Sequence, residues 1–309
     1  MGNLPSIPSL RQMSDHRSPI TDHRSPPLSH RSPPLSHWVK TYRNDGLVVS
    51  PTPVPDPVLD RMREALARLL ADRPDLPPES LVCPHIAAGG AHDQRAAQAW
   101  FEFATQPLLL DLVEQLIGPD IILWGSQVFC KPARIGREVP WHQDGQYWPM
   151  RPLATCSIWI ALDDATTENG CMRYIPGSHV RRALYEHSIS ERPGLVLNQE
   201  VNAGQFDARS ACDDILMAGE FSLHDVYLIH GSNANCSPNR RAAFVIRYMP
   251  ATSLFQRDIQ REQSQSGIAF SLSQRPIWLV RGRDVHGGND FNVGHGEAYR
   301  MVPRLSDDA

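Results

Sequence analysis

The chain has no long apolar run, no paired cysteines and no surplus of positive charge. No stretch approaches the roughly 18 consecutive apolar residues that a membrane-spanning helix requires, and the opening residues contain no apolar core of signal-peptide length. We therefore expect a cytoplasmic protein with no membrane partner. The six cysteines are scattered without a C-x-x-C pair. Their spacing disfavours a zinc ribbon or a small disulfide framework and predicts free, mostly buried thiols.

The formal net charge is -4 over 309 residues. Proteins that bind a phosphate backbone usually carry a basic face, so this balance disfavours a nucleic-acid partner. Glycine-rich nucleotide-binding loops of the G-x-G-x-x-G or Walker type are also missing. With 41% hydrophobic and 21% charged residues, the composition is that of an ordinary globular protein.

The first 37 residues differ in composition from the rest of the chain. The unit His-Arg-Ser-Pro recurs every seven residues, at 16–19, 23–26 and 30–33. Prolines in each repeat exclude the heptad coiled coil that this spacing would otherwise suggest. The segment is predicted to be a disordered tail, in which nothing would hold the histidines in a metal-binding geometry. Residues 38–309 are predicted to form one catalytic domain.

Periodicity changes along this domain from helical to strand-like. A short strand is predicted at 47–49, an amphipathic helix from 55 to 72, and a helix from 94 to 117 that is interrupted at Pro107 and closed by Gly118-Pro119. Short β-rich runs follow at 121–123, 128–131, 157–162, 225–229 and 242–249. This order predicts a mainly β fold with flanking helices, an antiparallel sandwich or barrel instead of a βαβ arrangement.

The pair His142 and Asp144 is the first candidate for chemistry. Residues i and i+2 of an extended segment project to the same side, so the imidazole and the carboxylate can converge on one point. Such a pair suits a divalent metal but needs a third ligand. Alone, H-x-D is weak evidence, and an exposed turn explains it equally well.

His230 is the candidate third ligand, 88 residues after His142 at the end of a β-type run. His224 on the same run competes with it. We prefer His230 because Gly231 would allow close approach to a bound ligand. Arg241 follows after a polar turn, where an arginine on the next strand can grip a carboxylate with two parallel hydrogen bonds. Two histidines and one carboxylate would form the facial triad of non-haem iron(II) oxygenases.

From about residue 117 to 250 the sequence resembles the phytanoyl-CoA dioxygenase family of iron(II)- and 2-oxoglutarate-dependent oxygenases. The matching blocks, in order, are Trp141–Asp144, Tyr147–Pro152, Glu168–His179, His230–Ser232 and Arg241. Together they form a strong match, although each block alone is weak. The resemblance implies a double-stranded β-helix (jelly roll, cupin-like) with helices packed outside.

The resemblance also assigns roles by position. Iron would be held by the two histidines and the aspartate of the triad, and the far carboxylate of 2-oxoglutarate by Arg241 and Ser232. Gln143, Trp159 and Gln127 should line the co-substrate pocket, although Trp159 could equally be a plain core aromatic. Arg240 is the rival of Arg241, and only one of the two can face the iron because alternate residues of a strand point to opposite sides.

The implied reaction consumes 2-oxoglutarate and dioxygen, releases succinate and carbon dioxide, and hydroxylates a C–H bond of a small organic molecule. We expect this molecule to belong to specialised metabolism or catabolism. Related halogenases have alanine or glycine in place of Asp144, so the carboxylate predicts oxygenation instead of halogenation. The same site could perform desaturation, cyclisation or oxidative cleavage. A jelly-roll protein that binds a metal or ligand without turnover is the alternative from another class. The sequence leaves the substrate and the oligomeric state open.

Substrate contacts are less clearly encoded. Tyr147, Trp148 and Arg151 follow the H-x-D pair and should rim the open face of the metal. Arg247 shares a strand face with Arg241, where it could reach an anionic substrate or form a salt bridge outside the barrel. The polar segment 258–267 is predicted to be a flexible loop, a candidate lid over the site.

Three further histidines are given structural interpretations. His179, in the turn Pro-Gly-Ser-His, is expected to order that turn by hydrogen bonding. His286 and His295 lie among glycines and asparagines, which predicts a mobile surface loop. None of the three is expected to bind metal.

Overall fold

The computed structural model describes residues 35–86, 94–258 and 272–295 of the chain. The tail predicted at 1–37 therefore lies outside the described residues except for its last three positions, which belong to the first helix. Most of the candidate lid, residues 259–267, also lies outside them. The division of the chain at residue 37 stays a prediction.

Four α-helices in the described residues precede most of the strands: α1 Leu35–Asp45, α2 Asp56–Asp72, α3 Gln94–Ala104 and α4 Pro107–Ile117. Pro107 is the first residue of α4, where its missing N–H would have had no helical partner anyway. Gly118 ends the helix with a φ of 96°, a conformation that glycine adopts without strain. The predicted interruption and the predicted end are both confirmed.

The strands within the described ranges are β1 Leu47–Val49, β2 Leu81–Val82, β3 Ile121–Lys131, β4 Val139–Gln143, β5 Met150–Arg151, β6 Cys156–Ala161, β7 Met172–Tyr174, β8 His187–Ile189, β9 Gln199–Val201, β10 Cys212–Asp214, β11 Phe221–Asp225, β12 Ile229–Ser232, β13 Arg241–Pro250, β14 Leu254–Phe255 and β15 Trp278–Arg281. Seven of them form a large sheet in the order β1-β11-β6-β13-β3-β15, with β2 beside β3. Four more form a small sheet in the order β10-β7-β12-β4. The remaining strands form the two-stranded ladders β14-β5 and β8-β9.

The inner faces of the two sheets meet. Trp159 and Val245 of the large sheet share a hydrophobic cluster with Met172 of the small sheet. The paired strands run antiparallel throughout both sheets. This is a double-stranded β-helix, or jelly roll, and the predicted mainly β fold with flanking helices is confirmed.

Strand β13 shows how the large sheet serves two purposes. Alternate side chains of a strand point to opposite faces, and on one face Phe244, Ile246 and Tyr248 join the main core with the helices. The ring of Phe244 lies 4.7 Å from that of Trp100 in α3. The other face of β13 points toward the small sheet. Helices therefore support the sheet from behind, while its inner face is available for chemistry.

Two predicted strand boundaries were wrong. The runs at 121–123 and 128–131 are parts of one strand, β3, because β13 pairs along its whole length. The predicted strand at 225–229 is instead the turn between β11 and β12, in which the Asp225 carboxylate accepts a hydrogen bond from the Tyr227 amide at 2.9 Å. The chain crosses here from the large sheet to the small one, so a continuous apolar run does not form a continuous strand.

All six cysteines are free, four of them buried and two, Cys212 and Cys236, exposed. The predicted thiol state is confirmed. None of the helices in the described ranges is long and apolar enough to cross a bilayer. The cytoplasmic location stays a prediction.

Candidate metal and co-substrate site

His142 of β4 and His230 of β12 are directly opposite each other in the small sheet. Each ring N–H donates from Nδ1 to the carbonyl two residues earlier, at 2.9 Å to Pro140 and at 3.0 Å to Leu228. These bonds orient both rings and leave the Nε2 lone pairs facing inward. The ring centroids are 4.2 Å apart.

Asp144 completes the group at the start of a short 3-10 turn that follows β4. Its Oδ1 lies 3.6 Å from Nε2 of His142 and 4.0 Å from Nε2 of His230. One ligand atom from each of the three residues lies within 4.8 Å of the others, and all three residues are buried. Two imidazole nitrogens and one carboxylate oxygen that converge in this way could hold a metal ion. This donor set fits iron(II).

Residues of the large sheet contact the second carboxylate oxygen of Asp144, Oδ2. His224 Nε2 and Ser157 Oγ each lie 3.5 Å from Oδ2. The two oxygens therefore have different surroundings: Oδ1 faces the histidines of the small sheet, and Oδ2 faces donors of the large sheet. His224, the rival ligand, contacts the carboxylate instead of joining the three-residue cluster.

Burial and neighbouring charges set the protonation of the cluster. Burial, followed by the charge of His142, lowers the pKa of His230 to about 3, so its imidazole is neutral at pH 7. Burial alone would raise the pKa of Asp144, but the imidazoles of His142 and His224 outweigh it and hold that pKa well below its usual value. A neutral His230 imidazole and an ionised Asp144 carboxylate are protonation states that suit a metal ion.

The large sheet contributes a buried cation beside this cluster. Arg241, 2% exposed, lies with its guanidinium 5.3 Å from the ring centroid of Trp159. Its Nε is buried and has no partner among the described residues, and burial lowers its pKa to about 10. Arg240 points to the surface and pairs with Asp163 through contacts of 2.8 and 2.9 Å. Of the two candidates, Arg241 is the one that faces the pocket.

Ser232 lies between the metal cluster and a buried lysine that the sequence analysis did not single out. Lys131 Nζ donates to Ser232 Oγ at 2.7 Å, to the Ser232 carbonyl at 3.4 Å and to the Asn233 carbonyl. Burial, followed by the charge of Arg241, lowers the pKa of Lys131 to about 6, while three acceptors match the three N–H groups of the ammonium form. Lys131 lies four residues after Gln127 on β3, so both side chains face the inner side of the sheet. This alternation is a sequence signal that could have identified Lys131.

Two predicted pocket residues are placed elsewhere. Gln143 donates to the carbonyls of Tyr227 and Ala183, at 2.6 and 3.2 Å, and its Oε1 accepts from the Tyr185 amide. As the neighbour of His142 in an extended strand it projects to the opposite side, so it supports a loop and does not line the pocket. Arg151 is exposed and bonds to the backbone carbonyls of Trp148 and Met150. It does not rim the metal cluster.

The other predicted contacts lie at the edge of the site. Tyr147 is half-buried, with its ring 6.2 Å from that of His142 and its hydroxyl on the Gln199 carbonyl at 3.3 Å. Trp148 is buried beneath the guanidinium of Arg247. Gln127 accepts a hydrogen bond from Arg247 at 2.9 Å and lies just behind the pocket wall.

Arg247 is inside the barrel, so the alternative of a salt bridge on its exterior is wrong. It is buried and lines the same pocket as Arg241 and the metal cluster. Its side chain points inward because it lies an even number of residues after Arg241 on β13, and such residues of a strand face the same side. The described residues offer it no ion pair within 4 Å.

The structure gives a different reason from the predicted one for a glycine at position 231. A Cβ here would lie 2.9 Å from the carbonyl oxygen of Val139 and 3.2 Å from the backbone of Pro140. The neighbouring strand, not a bound ligand, occupies the space. Gly231 therefore allows β12 and β4 to approach closely enough to bring their histidines together.

The histidines outside the cluster have structural contacts. His179 donates from Nε2 to the carbonyl of Arg43 at 3.1 Å. Arg43 lies near the end of α1, 136 residues away, so this bond connects the turn to a helix. His295 bonds to the Ile277 carbonyl at 3.0 Å and packs on Trp278, so the predicted mobile loop is wrong at this residue. His286 is exposed, as expected.

The metal cluster and the buried arginines line one shared pocket. The pocket is lined by Phe129, Val139, His142, Asp144, Trp159, Met172, His224, His230, Gly231, Ser232, Arg241, Val245 and Arg247.

Over residues 42–243, more than half of the chain, the sequence matches the family described as phytanoyl-CoA dioxygenase (PhyH). The chain belongs to the phytanoyl-CoA dioxygenase family. This is a family of iron- and 2-oxoglutarate-dependent oxygenases, and the resemblance found in the sequence is confirmed. The His-Asp-His cluster and the buried arginine lie within the matched range.

Two relatives in the phytanoyl-CoA dioxygenase family cover most of the chain. The peroxisomal phytanoyl-CoA dioxygenase of Homo sapiens is 25% identical over 279 residues, 80% of this chain and 81% of the human protein. The L-proline trans-4-hydroxylase of Streptomyces griseoviridis is 29% identical over 69% of this chain and 85% of that protein.

Solved structures share the fold of this phytanoyl-CoA dioxygenase family member. The apo form of the non-heme monooxygenase ThoJ matches with a TM-score of 0.60 and 25% identity, over 80% of this chain and 84% of ThoJ. The epimerase SnoN, in complex with Fe3+, alpha ketoglutarate and nogalamycin RO, matches with a TM-score of 0.58 and 22% identity, over 80% of this chain and 98% of SnoN. The second match supports the fold alone.

Proposed function

We propose that the protein is an iron(II)- and 2-oxoglutarate-dependent dioxygenase that hydroxylates a C–H bond of a small organic molecule. The observation that carries this proposal is the convergence of His142 Nε2, Asp144 Oδ1 and His230 Nε2 within 4.8 Å, in a buried pocket that also holds an arginine. Iron(II) bound there, with 2-oxoglutarate and dioxygen, supplies the oxidant for C–H cleavage and yields succinate and carbon dioxide.

The protein's own residues bind and orient the reactants. Arg241 and Ser232 hold the far carboxylate of 2-oxoglutarate, and Trp159 forms the wall against which the Arg241 guanidinium lies. The serine hydroxyl accepts a hydrogen bond from Lys131, so its own hydrogen is available for the carboxylate. A buried pocket also keeps water away from the reacting groups.

Asp144 favours oxygen transfer over halogenation. Its carboxylate would serve as a ligand of the iron, a role that related halogenases leave to a halide, and His224 and Ser157 contact its other oxygen at 3.5 Å. Hydroxylation is therefore the proposed outcome. Desaturation, cyclisation and oxidative cleavage use the same residues and differ in how the substrate is held.

The test is succinate formation from 2-oxoglutarate under aerobic iron(II) conditions, with a panel of small organic substrates and mass spectrometry of the products. His142→Ala and Asp144→Ala should each abolish turnover because each removes a metal ligand. Arg241→Ala should mainly weaken 2-oxoglutarate binding, and Arg240→Ala is the matched control that should leave it unchanged. Full activity in His142→Ala would overturn the metal assignment, and metal binding without succinate across the panel would favour a non-catalytic binding protein.

A further inference from the structure

Arg247 is a second buried arginine in the pocket, and the co-substrate contacts proposed above do not use it. It is 9% exposed and lines the pocket together with His142, Asp144 and His224. Six residues separate it from Arg241 on β13, which corresponds to about 20 Å of extended chain. Arg241 and Arg247 therefore lie toward different ends of the pocket, which the metal cluster also lines.

The Arg247 guanidinium is held in a defined position. Arg247 Nη2 donates to Gln127 Oε1 at 2.9 Å. Arg247 Cζ lies 5.3 Å from the ring centroid of Trp148. Trp148 is itself buried against Trp124, with ring centroids 4.7 Å apart. A guanidinium stacked and hydrogen-bonded in this way loses little conformational entropy when it binds a ligand.

The space around Arg247 is kept open by small neighbours. Its partners across the sheet are Gly125 on β3 and Ser157 on β6. Ser157 directs its hydroxyl to Asp144. The strands on both sides of Arg247 thus leave room for a group to approach the guanidinium.

Within the described part of the chain Arg247 forms no ion pair, and the charge of Asp144 acts on it only at longer range. The described residues provide no carboxylate within 4 Å, and the Arg247 Nε is buried without a partner among them. Asp144 is the acidic group in the same pocket, and both of its oxygens are already engaged. An unpaired buried guanidinium is unfavourable, and a bidentate carboxylate would satisfy it.

We infer that Arg247 is the binding site for a carboxylate group of the primary substrate, so that the substrate is a small carboxylic acid. This inference rests on the proposed function and adds the substrate class to it. The same chemistry could come from the carboxylate of 2-oxoglutarate that lies nearest the metal. The experiment separates these two sources.

The first measurement is the affinity for 2-oxoglutarate. Nickel(II) replaces iron(II) so that no turnover occurs, and the Kd is measured by calorimetry for wild type, Arg247→Met, Arg241→Met and Arg240→Met. Arg241→Met should weaken binding about tenfold or more, the range expected for a lost charged hydrogen bond. Arg247→Met should stay within about threefold of wild type, the limit that we set for no effect. A loss in Arg247→Met as large as that in Arg241→Met would assign the carboxylate to 2-oxoglutarate and overturn the inference.

The second measurement is substrate binding with 2-oxoglutarate at saturation. The probes are propionate, phenylacetate, cyclohexanecarboxylate and L-proline, each compared with its primary amide. At least one acid should bind wild type about tenfold more tightly than its amide, and this preference should disappear in Arg247→Met. Arg240→Met should keep it, and Arg247→Lys, which retains the charge, should keep most of it.

The outcomes are distinguishable. If no acid binds wild type more tightly than its amide, or if Arg247→Met keeps the preference, the inference is overturned. Should Arg247→Met fail to fold, Arg247→Lys and Arg247→Gln provide the comparison, since glutamine retains hydrogen bonding to Gln127 without the charge. Failure of wild type to bind nickel(II) and 2-oxoglutarate would instead contradict the proposed function.

Discussion

The two oxygens of Asp144 face different sheets, and His224 contacts the one turned away from the metal cluster. Its Nε2 lies 3.5 Å from Oδ2, so it restricts rotation of the carboxylate and keeps Oδ1 toward the two ligand histidines. Groups that orient metal ligands in this way commonly contribute to metal affinity. His224 is thus a positioning residue in this site.

We predict that His224→Phe weakens nickel(II) binding by about 10- to 100-fold, the usual range for loss of a group that orients a ligand. Calorimetric titration of the metal-free protein measures the change, and His224→Asn, which retains a donor, should recover part of it. His286→Phe, at an exposed histidine, is the control. Unchanged affinity in His224→Phe would refute the orienting role, and complete loss would make His224 a ligand.

Lys131 is one of only two lysines in the chain. Its three acceptors belong to Ser232 and Asn233, directly after the metal-ligand segment. An ammonium group with three donors fits this point, where a planar guanidinium would not. In the proposed function, the lysine would act on the co-substrate through the serine.

Lys131→Met should weaken 2-oxoglutarate binding about tenfold, because Ser232 loses the donor that fixes its hydroxyl. In a Ser232→Ala background the same change should cost less than about threefold, since the effect travels through that hydroxyl. Calorimetry on the nickel(II) protein measures the Kd of 2-oxoglutarate in both backgrounds. Lys40→Met, at an exposed position of α1, is the control. Equal losses in the two backgrounds would mean that Lys131 acts independently of Ser232.

At the scale of the elements, the pairing of β12 with β4 assembles the two histidines. The register shifts between His230 and Ser232, and Gly231 at this irregularity lies against the backbone of Val139 and Pro140. A β-bulge of this kind redirects side chains next to functional sites.

Gly231→Ala should force β12 and β4 apart by a few tenths of an ångström and lower nickel(II) affinity about tenfold, because geometric errors of that size matter at metal sites. Metal titration tests this, with thermal unfolding of the metal-free variant as a check on folding. Gly125→Ala is the matched control in β3, where a Cβ would have its nearest neighbour at 3.8 Å. Equal metal affinities in the two variants would argue against the role of this contact.

At the scale of the whole molecule, buried imidazoles make stability depend on pH. Burial lowers the pKa of His85 and of His230 from 6.5 to about 3. As the pH falls below 6.5 the unfolded chain takes up protons that the folded protein excludes, so stability is lost. Burial acts in the opposite sense on Asp214, whose pKa rises from 3.8 to about 6, so the folded form gains stability there as the pH falls.

Between pH 7.5 and pH 5.0 each of the two histidines should cost about 2 kcal/mol, and Asp214 should return about 1 kcal/mol. We therefore expect the metal-free protein to be less stable at pH 5.0 than at pH 7.5, measured by urea unfolding. His85→Phe should reduce this difference, because the aromatic ring cannot take up a proton in either state. Equal or greater stability at pH 5.0 would contradict the burial of these neutral rings.

Much of this protein could be predicted from local sequence patterns. The helix interruption at Pro107, the amphipathic face of α2 and the cluster of His142, Asp144 and His230 all follow from periodicity, turn residues or spacing. Strand alternation allowed only one of Arg240 and Arg241 to face inward, and the family resemblance and the spacing to His230 favoured Arg241. These features depend on a few neighbouring residues, which is why the sequence displays them.

The predictions that failed concerned residues whose positions depend on contacts between distant segments of the chain. Gln143 was predicted in the pocket, but loops at 183–185 and 227 bind its amide on the other side of β4. Lys131, 101 residues from Ser232, escaped notice because only sheet pairing brings them together. The ligand types and the fold class were therefore determined by the sequence itself. The orientation of Asp144, the contact of β12 with β4 and the inward position of Arg247 were decided only by the tertiary structure, because they depend on the packing of two sheets whose facing residues are far apart in the chain.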